Sequence, residues 1–344
     1  MYILPKQQNN FYSPLSITTS LTILLKGSNG VTKEELKNVL NIKDNTNITS
    51  LEASLKRQLA LIEEQIENEV NIRLANRIII SNKNPLLKEF EDFAYNISNT
   101  DLKFVNIRNS EFINEENNNW IKGESNGVFD RVFDSELSDN TSLALANSVY
   151  FEAFWKNAFT QKYTTREEFF GDSLTEVETM KMWRKFKYVF SPQLNASLLP
   201  DNRKGLNTMC DKLDMKSLNA LLNQLDDSSE RHLVLSLPKF TIKTEYDLED
   251  GFKRLGLKSV FNSSADLSSI NGDKKLHLSQ VIHKAFVEIK EEGIQSSELS
   301  ELLYIPAVNP FVRHIPVKVN KPFLFIIRDN NSDLILMLGQ LRVL

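Results

Sequence analysis

The order of the hydrophobic patterns along the chain constrains its fold more than any other feature. Apolar residues at helical spacing are frequent in the first half, as in the helix predicted from about Leu51 to Asn68. Strand patterns dominate the second half, where Leu233–Ile242 is predicted as one strand and Phe323–Arg328 and Leu334–Leu338 as a hairpin. Helices first and strands last favour an α+β fold around a large mixed or antiparallel sheet over a regular βαβ winding.

Other segments fill in this arrangement. Further helices are predicted at Pro14–Leu25, Lys88–Asn96, Asn114–Asn126 and about Leu248–Leu255, and further strands at Ile72–Ile80 and Leu143–Phe151. Thr32 and Glu35 form a candidate capping box that would open another helix at Thr32. No repeat, low-complexity tract or long linker divides the chain, so we expect one domain over residues 1–344.

Charge and hydropathy restrict the partners. The 344 residues carry 41 basic and 45 acidic side chains, a net charge of −4, and neither sign forms a long run. Such a surface is not typical of a protein that binds nucleic acid or an anionic membrane, and we expect neither as a partner. The longest apolar runs are far shorter than the ~20 residues of a membrane-spanning helix, and Met1–Asn10 shows no signal-peptide pattern.

A search for catalytic or metal-binding motifs finds none. The histidines, His232, His277, His283 and His314, lack the close spacing of a helical zinc site, and the single cysteine, Cys210, has no nucleophile signature. The HExxH, CxxC, Walker and GxSxG patterns are absent. We therefore expect no catalytic residues, no metal site and no cofactor.

The segment Lys290–Val319 is unusual because it is long and has no periodic apolar pattern. It follows a strand-like stretch, Ala285–Ile289, and begins with Glu291, Glu292 and Gly293. Loops of this length inside compact domains are uncommon and usually functional, although a disordered insertion would look the same.

Several motifs resemble those of the serpin family. The stretch Asn147–Trp155 is similar to the N-A-x-Y-F-x-x-x-W strand of that family, and Phe11–Ile17 to its F-S-P-x-S-I segment. Further matches follow in family order at Leu237–Phe240, Leu255–Leu257, Val260–Phe261, His283–Ala285, Glu291–Gly293 and Lys321–Phe325. Together they cover nearly the whole chain.

The resemblance implies a protease inhibitor that is not an enzyme. In serpins a metastable fold offers an exposed reactive loop, here residues 291–319, to a serine-type protease. After cleavage the loop inserts as a new strand into the central sheet and carries the acyl-linked protease with it. The implied partner is a target protease, and the implied state is a monomer. The family resemblance suggests an extracellular protein, whereas the lack of a visible signal peptide leaves the cytoplasm open.

The resemblance also assigns roles to individual residues. A polar cluster beneath the sheet, called the shutter, corresponds to Ser13, Ser16, Asn147 and His283. The loop hinge corresponds to Glu291, Glu292, Gly293, Ile294, Ser296 and Glu298. Counting forward from Gly293 places the scissile bond between Ala307 and Val308, whereas counting back from Asn320 places it near Phe311 and Val312. Arg313 would suit a trypsin-like protease, Phe311 a chymotrypsin-like one and Ala307 an elastase-like one.

Three departures from the family pattern support an alternative function: the hinge sequence, the length of the loop and a short interval after Tyr188. If Ile294 turns inward in an inserted strand, Glu298 also turns inward, and burying an unpaired carboxylate costs on the order of several kcal/mol. The interval Tyr188–Asp201 is also short for the two strands that the family has there. The alternative is a non-inhibitory serpin-fold protein that serves as a plain protease substrate, a binding module or a storage protein.

Overall fold

The fold is described from a computed structural model. It covers residues 8–43, 45–65, 70–81, 85–98, 100–105, 110–134, 137, 141–189, 200, 205–292 and 314–344. The helices are α1 (Pro14–Gly27), α2 (Gly30–Val39), α3 (Asn45–Gln65), α4 (Lys88–Ser98), α5 (Ser110–Glu124), α6 (Gly205–Lys212), α7 (Met215–Asp227), α8 (Glu249–Arg254) and α9 (Ser268–Asn271). None of these described helices is long and apolar enough to cross a membrane.

The strands form three sheets. They are β1 (Asn10–Tyr12), β2 (Val70–Ser81), β3 (Asp101–Val105), β4 (Leu143–Ala153), β5 (Thr165–Phe170), β6 (Leu174–Lys187), β7 (Glu230–Pro238), β8 (Phe240–Asp247), β9 (Leu278–Ile289), β10 (Ile315–Lys318), β11 (Phe323–Arg328) and β12 (Ile335–Leu341). The central sheet has the order β3-β2-β4-β9-β8, and the others have the orders β10-β7-β6-β5 and β1-β12-β11.

The central sheet is mixed. Strands β3 and β2 are parallel, as are β4 and β9, whereas β2 pairs antiparallel with β4 and β8 antiparallel with β9. The structure thus confirms the predicted α+β fold with a mixed sheet. The parallel contact between β4 and β9 runs from Leu143 to Phe151 on β4 and joins the two halves of the sheet.

Helix α1 lies under this sheet and is buried on almost every side. Ser13 caps its N-terminus by accepting a hydrogen bond from the Ser16 backbone N–H, and Pro14 occupies the first turn, where a missing N–H costs nothing. Residues such as Ile23, Leu24 and Leu25 are about 1% exposed and pack into the core shared with the central sheet. Burial on almost every side explains why α1 has no charged residue before Lys26 and consists of apolar and hydroxyl-bearing residues.

Three sequence predictions need correction. Leu233–Ile242 is two strands, β7 and β8, in different sheets, because the chain turns at Pro238, which has no N–H to continue a ladder. Helix α2 begins at Gly30 after Asn29, so the capping box at Thr32 was wrong. Residues Ile315–Lys318 form strand β10, inside the segment expected to lack regular structure. The C-terminal hairpin is confirmed as β11 and β12.

Phenylalanine rings tie the three-stranded sheet to the central one. Phe325 on β11 lies 5.9 Å from Phe11 on β1 and 5.4 Å from Phe240 on β8, measured between ring centroids. Its cross-strand partner is Gly339 on β12. A Cβ atom at Gly339 would come within 2.0 Å of Phe325 Cζ, so this glycine makes room for the ring.

We predict that Gly339→Ala destabilises the protein. The methyl group would push the Phe325 ring out of its packing, and such overpacking typically costs about 1–3 kcal/mol. Gly123→Ala in α5 is the matched control, since a Cβ atom there meets nothing within 4 Å. In a helix this change is expected to stabilise by about 0.5–1 kcal/mol. Thermal unfolding at one heating rate gives the melting temperatures of both variants. Equal melting temperatures for Gly339→Ala and Gly123→Ala would contradict the prediction.

Candidate functional site: a polar row under the central sheet and the base of the loop

Four polar residues form a row across the central sheet. Asn76 on β2 lies beside Asn147 on β4, Asn147 beside His283 on β9, and His283 beside Tyr246 on β8. Asn147 and His283 are at most 1% exposed. Because facing residues of neighbouring strands point to the same side of a sheet, the row presents its polar groups to one buried face.

Helix α1 supplies hydroxyl groups to this row. Ser13, Ser16 and Ser20 lie at helical spacing on one side of α1. The Asn147 Nδ2 group donates to Ser20 Oγ and to Asn76 Oδ1, each at 2.7 Å, and Ser16 Oγ donates to Asn76 Oδ1 at 3.3 Å. We call Ser13, Ser16, Ser20, Asn76, Asn147 and His283 the polar cluster.

His283 belongs to a separate part of the polar cluster. The Ser13 backbone N–H donates to its Nε2 at 3.2 Å, and Ser13 Oγ donates to the backbone oxygen of Leu336 at 2.8 Å. The Nδ1 atom of His283 and the Oδ1 atom of Asn147 are buried without a hydrogen-bond partner among the described residues. No side-chain hydrogen bond of the polar cluster therefore joins β4 to β9.

Burial controls the protonation of His283. Its side chain is fully enclosed, and this desolvation lowers the pKa of the imidazole from 6.5 to about 3. Accepting a hydrogen bond at Nε2 is consistent with a neutral ring that carries its proton on Nδ1. The ring is therefore neutral at physiological pH.

The chain leaves β9 through a set of contacts that we call the loop base. The backbone oxygens of Lys290, Glu291 and Glu292 accept hydrogen bonds, respectively, from the Trp155 indole at 2.6 Å, the Phe159 backbone N–H at 3.0 Å and the Trp155 backbone N–H at 3.0 Å. Trp155 and Phe159 lie in the segment that follows β4, which ends at Ala153. The loop base thus lies where β4 and β9 both end.

The Glu291 carboxylate anchors the loop base. It accepts a hydrogen bond from Thr164 Oγ1 at 2.9 Å and pairs with Lys239 Nζ at 3.1 Å. Burial alone would raise the pKa of Glu291, but the Thr164 hydrogen bond and the Lys239 charge outweigh it and lower the pKa. Lys239, which lies between β7 and β8, also pairs with Glu178 at 3.1 Å.

The chain re-enters the described structure at His314 and continues into β10. This short edge strand runs parallel to β7, with Ile315 beside Leu233 and Lys318 beside Ser236. The Val319 backbone N–H donates to the Ser236 backbone oxygen at 2.8 Å. The N-terminal end of the intervening segment is therefore tied to Lys239, which follows β7, and its C-terminal end is paired with β7 itself.

The structure brings together all four predicted shutter residues and places Glu291 and Glu292 at the loop base. The remaining predicted loop residues lie outside the described residues; they are Gly293, Ile294, Ser296, Glu298, Ala307, Val308, Phe311, Val312 and Arg313. Most of the short interval Tyr188–Asp201 also lies outside them.

Sequence reasoning missed several members of both sites. Asn76 and Ser20 complete the polar cluster, and Thr164 and Lys239 hold Glu291. Ser20 lies seven residues after Ser13, so the helical spacing of serines in a helix with no charged residue before Lys26 was a usable signal. No local pattern marks Asn76, because its role depends on strand pairing with β4.

The fold belongs to the serpin class, as the match of the chain to that family's model shows. Residues 2–343 match the family model for serpins, the serine protease inhibitors, and the chain belongs to this family. It is 30% identical to Iripin-2 of Ixodes ricinus, over 98% of this chain and 88% of that protein. It is 27% identical to human Serpin B4, over 97% of this chain and 93% of that protein. The crystal structure of uncleaved ovalbumin shares the fold with a TM-score of 0.83 at 22% identity, over 97% of this chain and 93% of that one.

We predict that His283 makes the stability of the protein depend on pH. Its pKa is about 3 when folded and about 6.5 when unfolded, so below pH 6.5 only the unfolded chain takes up the proton. This stability contribution is complete above pH 6.5 and falls by about 1.4 kcal/mol per pH unit towards pH 3. His283→Gln should remove this part of the pH dependence.

The measurement is thermal unfolding of both proteins between pH 7.5 and pH 4.5. As the pH falls, the free energy of unfolding should decrease more for the parent than for His283→Gln. His277→Gln, at a half-buried position outside the polar cluster, is the matched control and should follow the parent. Parallel curves for the parent and His283→Gln would contradict the prediction.

Proposed function

We propose that this serpin inhibits a serine-type protease as a suicide substrate, by cleavage and insertion of its reactive loop. The observation that carries the proposal is the parallel seam between β4 and β9, which ends where the chain leaves as the loop. We further propose that residues 1–344 work as one domain and as a monomer, with no catalytic residues of their own.

The geometry of the seam suits a strand that enters from the loop. A chain that turns back after β9 and lies between β4 and β9 would run antiparallel to both. It would replace a ladder of nine parallel residue pairs with two antiparallel ladders. Antiparallel pairing is slightly more stable per residue, and the number of pairs would double. Insertion would therefore be favourable once the loop is free to move.

The polar cluster supports opening at the same seam. Parting β4 from β9 breaks backbone hydrogen bonds but no side-chain hydrogen bond of the polar cluster, because its members on β4 and β9 bond to different partners. The unpaired Asn147 Oδ1 acceptor and His283 Nδ1–H donor lie on the two facing strands. A buried unpaired group costs about 1–3 kcal/mol, so groups arriving with a new strand can lower the free energy.

The loop base would restrain insertion until cleavage. Insertion must release Trp155 and Phe159 from the backbone oxygens of the loop base, and it moves Glu291 relative to Thr164 and Lys239. Hydrogen bonds to charged groups contribute about 1.5–3 kcal/mol each, which is enough to slow the step strongly.

The target depends on which bond is cut. Cleavage after Phe311 would indicate a chymotrypsin-like target, after Ala307 an elastase-like one and after Arg313 a trypsin-like one. These residues lie outside the described part of the chain, so the assignment rests on the sequence alone.

The hinge sequence favours a second candidate function. Glu298 would face inward with Ile294 in an inserted strand, and its carboxylate would resist burial. A loop that is cut but does not insert would make the protein a plain substrate, a binding module or a storage protein with a serpin fold.

The first test is to incubate the protein with trypsin, chymotrypsin and elastase and to resolve the products on a denaturing gel. We expect a covalent complex with at least one protease, because the acyl-enzyme is trapped before water hydrolyses it. Its mass should be the sum of the two proteins less the C-terminal fragment, which leaves when the acyl bond to the protease forms. Protein already cleaved in residues 293–313 is the control and should form no complex. The cleaved protein should also melt at a higher temperature than the intact protein. Cleavage without a complex and with an unchanged melting temperature would support the second function.

The second test compares Glu298→Ala with Glu301→Ala. In an inserted strand position 298 shares the inward face of Ile294, whereas position 301 faces outward. Removing the inward carboxylate should speed insertion, about tenfold for every 1.4 kcal/mol taken from the barrier. Fewer inhibitor molecules should then be consumed per protease trapped by Glu298→Ala, with no change for Glu301→Ala. Equal consumption by both variants would show that Glu298 does not limit insertion.

A further inference from the structure

Two histidines that are distant in sequence meet beside the C-terminal end of the loop. His232 lies on β7 and His314 directly precedes β10, and their ring centroids are 5.6 Å apart with planes at 71°. Since Ile315 lies beside Leu233, the two histidines occupy the next position of the same parallel ladder. Their side chains therefore lie on the same face of the four-stranded sheet.

Both imidazoles are available to a ligand. Each side chain is half-buried, and neither makes a hydrogen bond or ion pair with any described residue. This contrasts with His283, whose Nε2 is occupied by Ser13, and with His277, which contacts Ser142 and Lys275. Each of the paired rings thus has ring nitrogens that no described residue engages.

The spacing of the rings matches that of a shared metal ion. In a tetrahedral zinc site two imidazole ring centres stand about 5 Å apart, because each Zn–N bond is about 2.0 Å and the ligands subtend the tetrahedral angle. The separation of 5.6 Å is close to that value, so rings with their centres at these positions are near enough to share one ion.

We propose that His232 and His314 form a two-histidine binding site for Zn²⁺ that fastens strand β10 to strand β7. The cross-strand neighbour of His232 on β6 is Lys185, which cannot ligate a cation. Among the described residues no group of three or more histidine, cysteine or acidic side chains is placed to hold a metal. Water therefore completes the coordination. The sequence could not reveal this pair, because His232 and His314 are far apart in the chain and meet only through the pairing of β7 with β10.

The site has a structural consequence that can be measured. Strand β10 is only four residues long and pairs with β7 on one side only. A metal ion shared by both strands would hold the end of β10 next to the loop and reduce local opening of its ladder. This consequence depends on the two histidines alone and not on whether the protein inhibits a protease.

The test is calorimetric titration of the full-length protein, without a polyhistidine tag, with zinc chloride at pH 7.5. We expect one saturable Zn²⁺ site per chain in the parent. His232→Ala and His314→Ala should each weaken it at least about tenfold, because each removes one of the two ligands. His277→Ala is the matched control and should bind as the parent does. No saturable binding, or the same binding by all variants, would overturn the proposal.

A second measurement separates the site from any change in folding. Hydrogen exchange at the Val317 and Val319 amides, which lie on the side of the strand that bonds to β7, should slow when Zn²⁺ is added to the parent and should not change in His232→Ala. Both proteins should melt at the same temperature without metal, since the half-buried ring makes no bond to a described residue. Equal slowing in both proteins would place the metal elsewhere and would also overturn the proposal.

Discussion

The parallel pairing of β4 with β9 is the contact on which the rest of the structure depends. Among the described strands it is the only ladder that connects the half-sheet β3-β2-β4 with the half-sheet β9-β8. At the level of the polar row the halves are linked through helix α1, because Ser20 bonds to β4 while Ser13 bonds to β9. On the opposite face the rings of Tyr150 and Phe286 stack at 5.5 Å across the seam. On the proposed mechanism this is the line at which the sheet separates, with helix α1 and the stacked rings as the contacts that must adjust.

The polar row and the loop base affect that line in different ways. The polar row contributes little net stability, since a buried polar group that is only partly satisfied costs free energy. The loop base contributes more, because the Glu291 carboxylate pairs with Lys239 and accepts from Thr164 close to the end of both strands. On the proposed mechanism the polar row makes the seam easy to part, and the loop base decides when it parts.

Local patterns predicted much of the fold, and long-range contacts explain the exceptions. The helices and the hairpin follow from periodicity and turn residues, whereas the family resemblance supplied the expectation of the four shutter residues. The capping box at Thr32 fails because Glu35 Oε2 instead accepts from the Lys258 and Ser259 backbone N–H groups, both at 2.8 Å and more than 220 residues away. Asn76 and the histidine pair were missed for the same reason. Strand pairing creates their neighbourhoods, and no local spacing encodes strand pairing.

The two ends of the loop are held by different forces, and this difference gives the proposed movement a direction. At the N-terminal end, three hydrogen bonds from Trp155 and Phe159 and the ion pair with Lys239 hold the chain outside any described strand ladder. At the C-terminal end, β10 is bound by a backbone ladder to β7, and the proposed metal site would reinforce it. Separate contacts break independently, whereas a ladder separates as a unit. After cleavage the N-terminal part of the loop is therefore the part free to enter the seam, while β10 keeps its place in the four-stranded sheet.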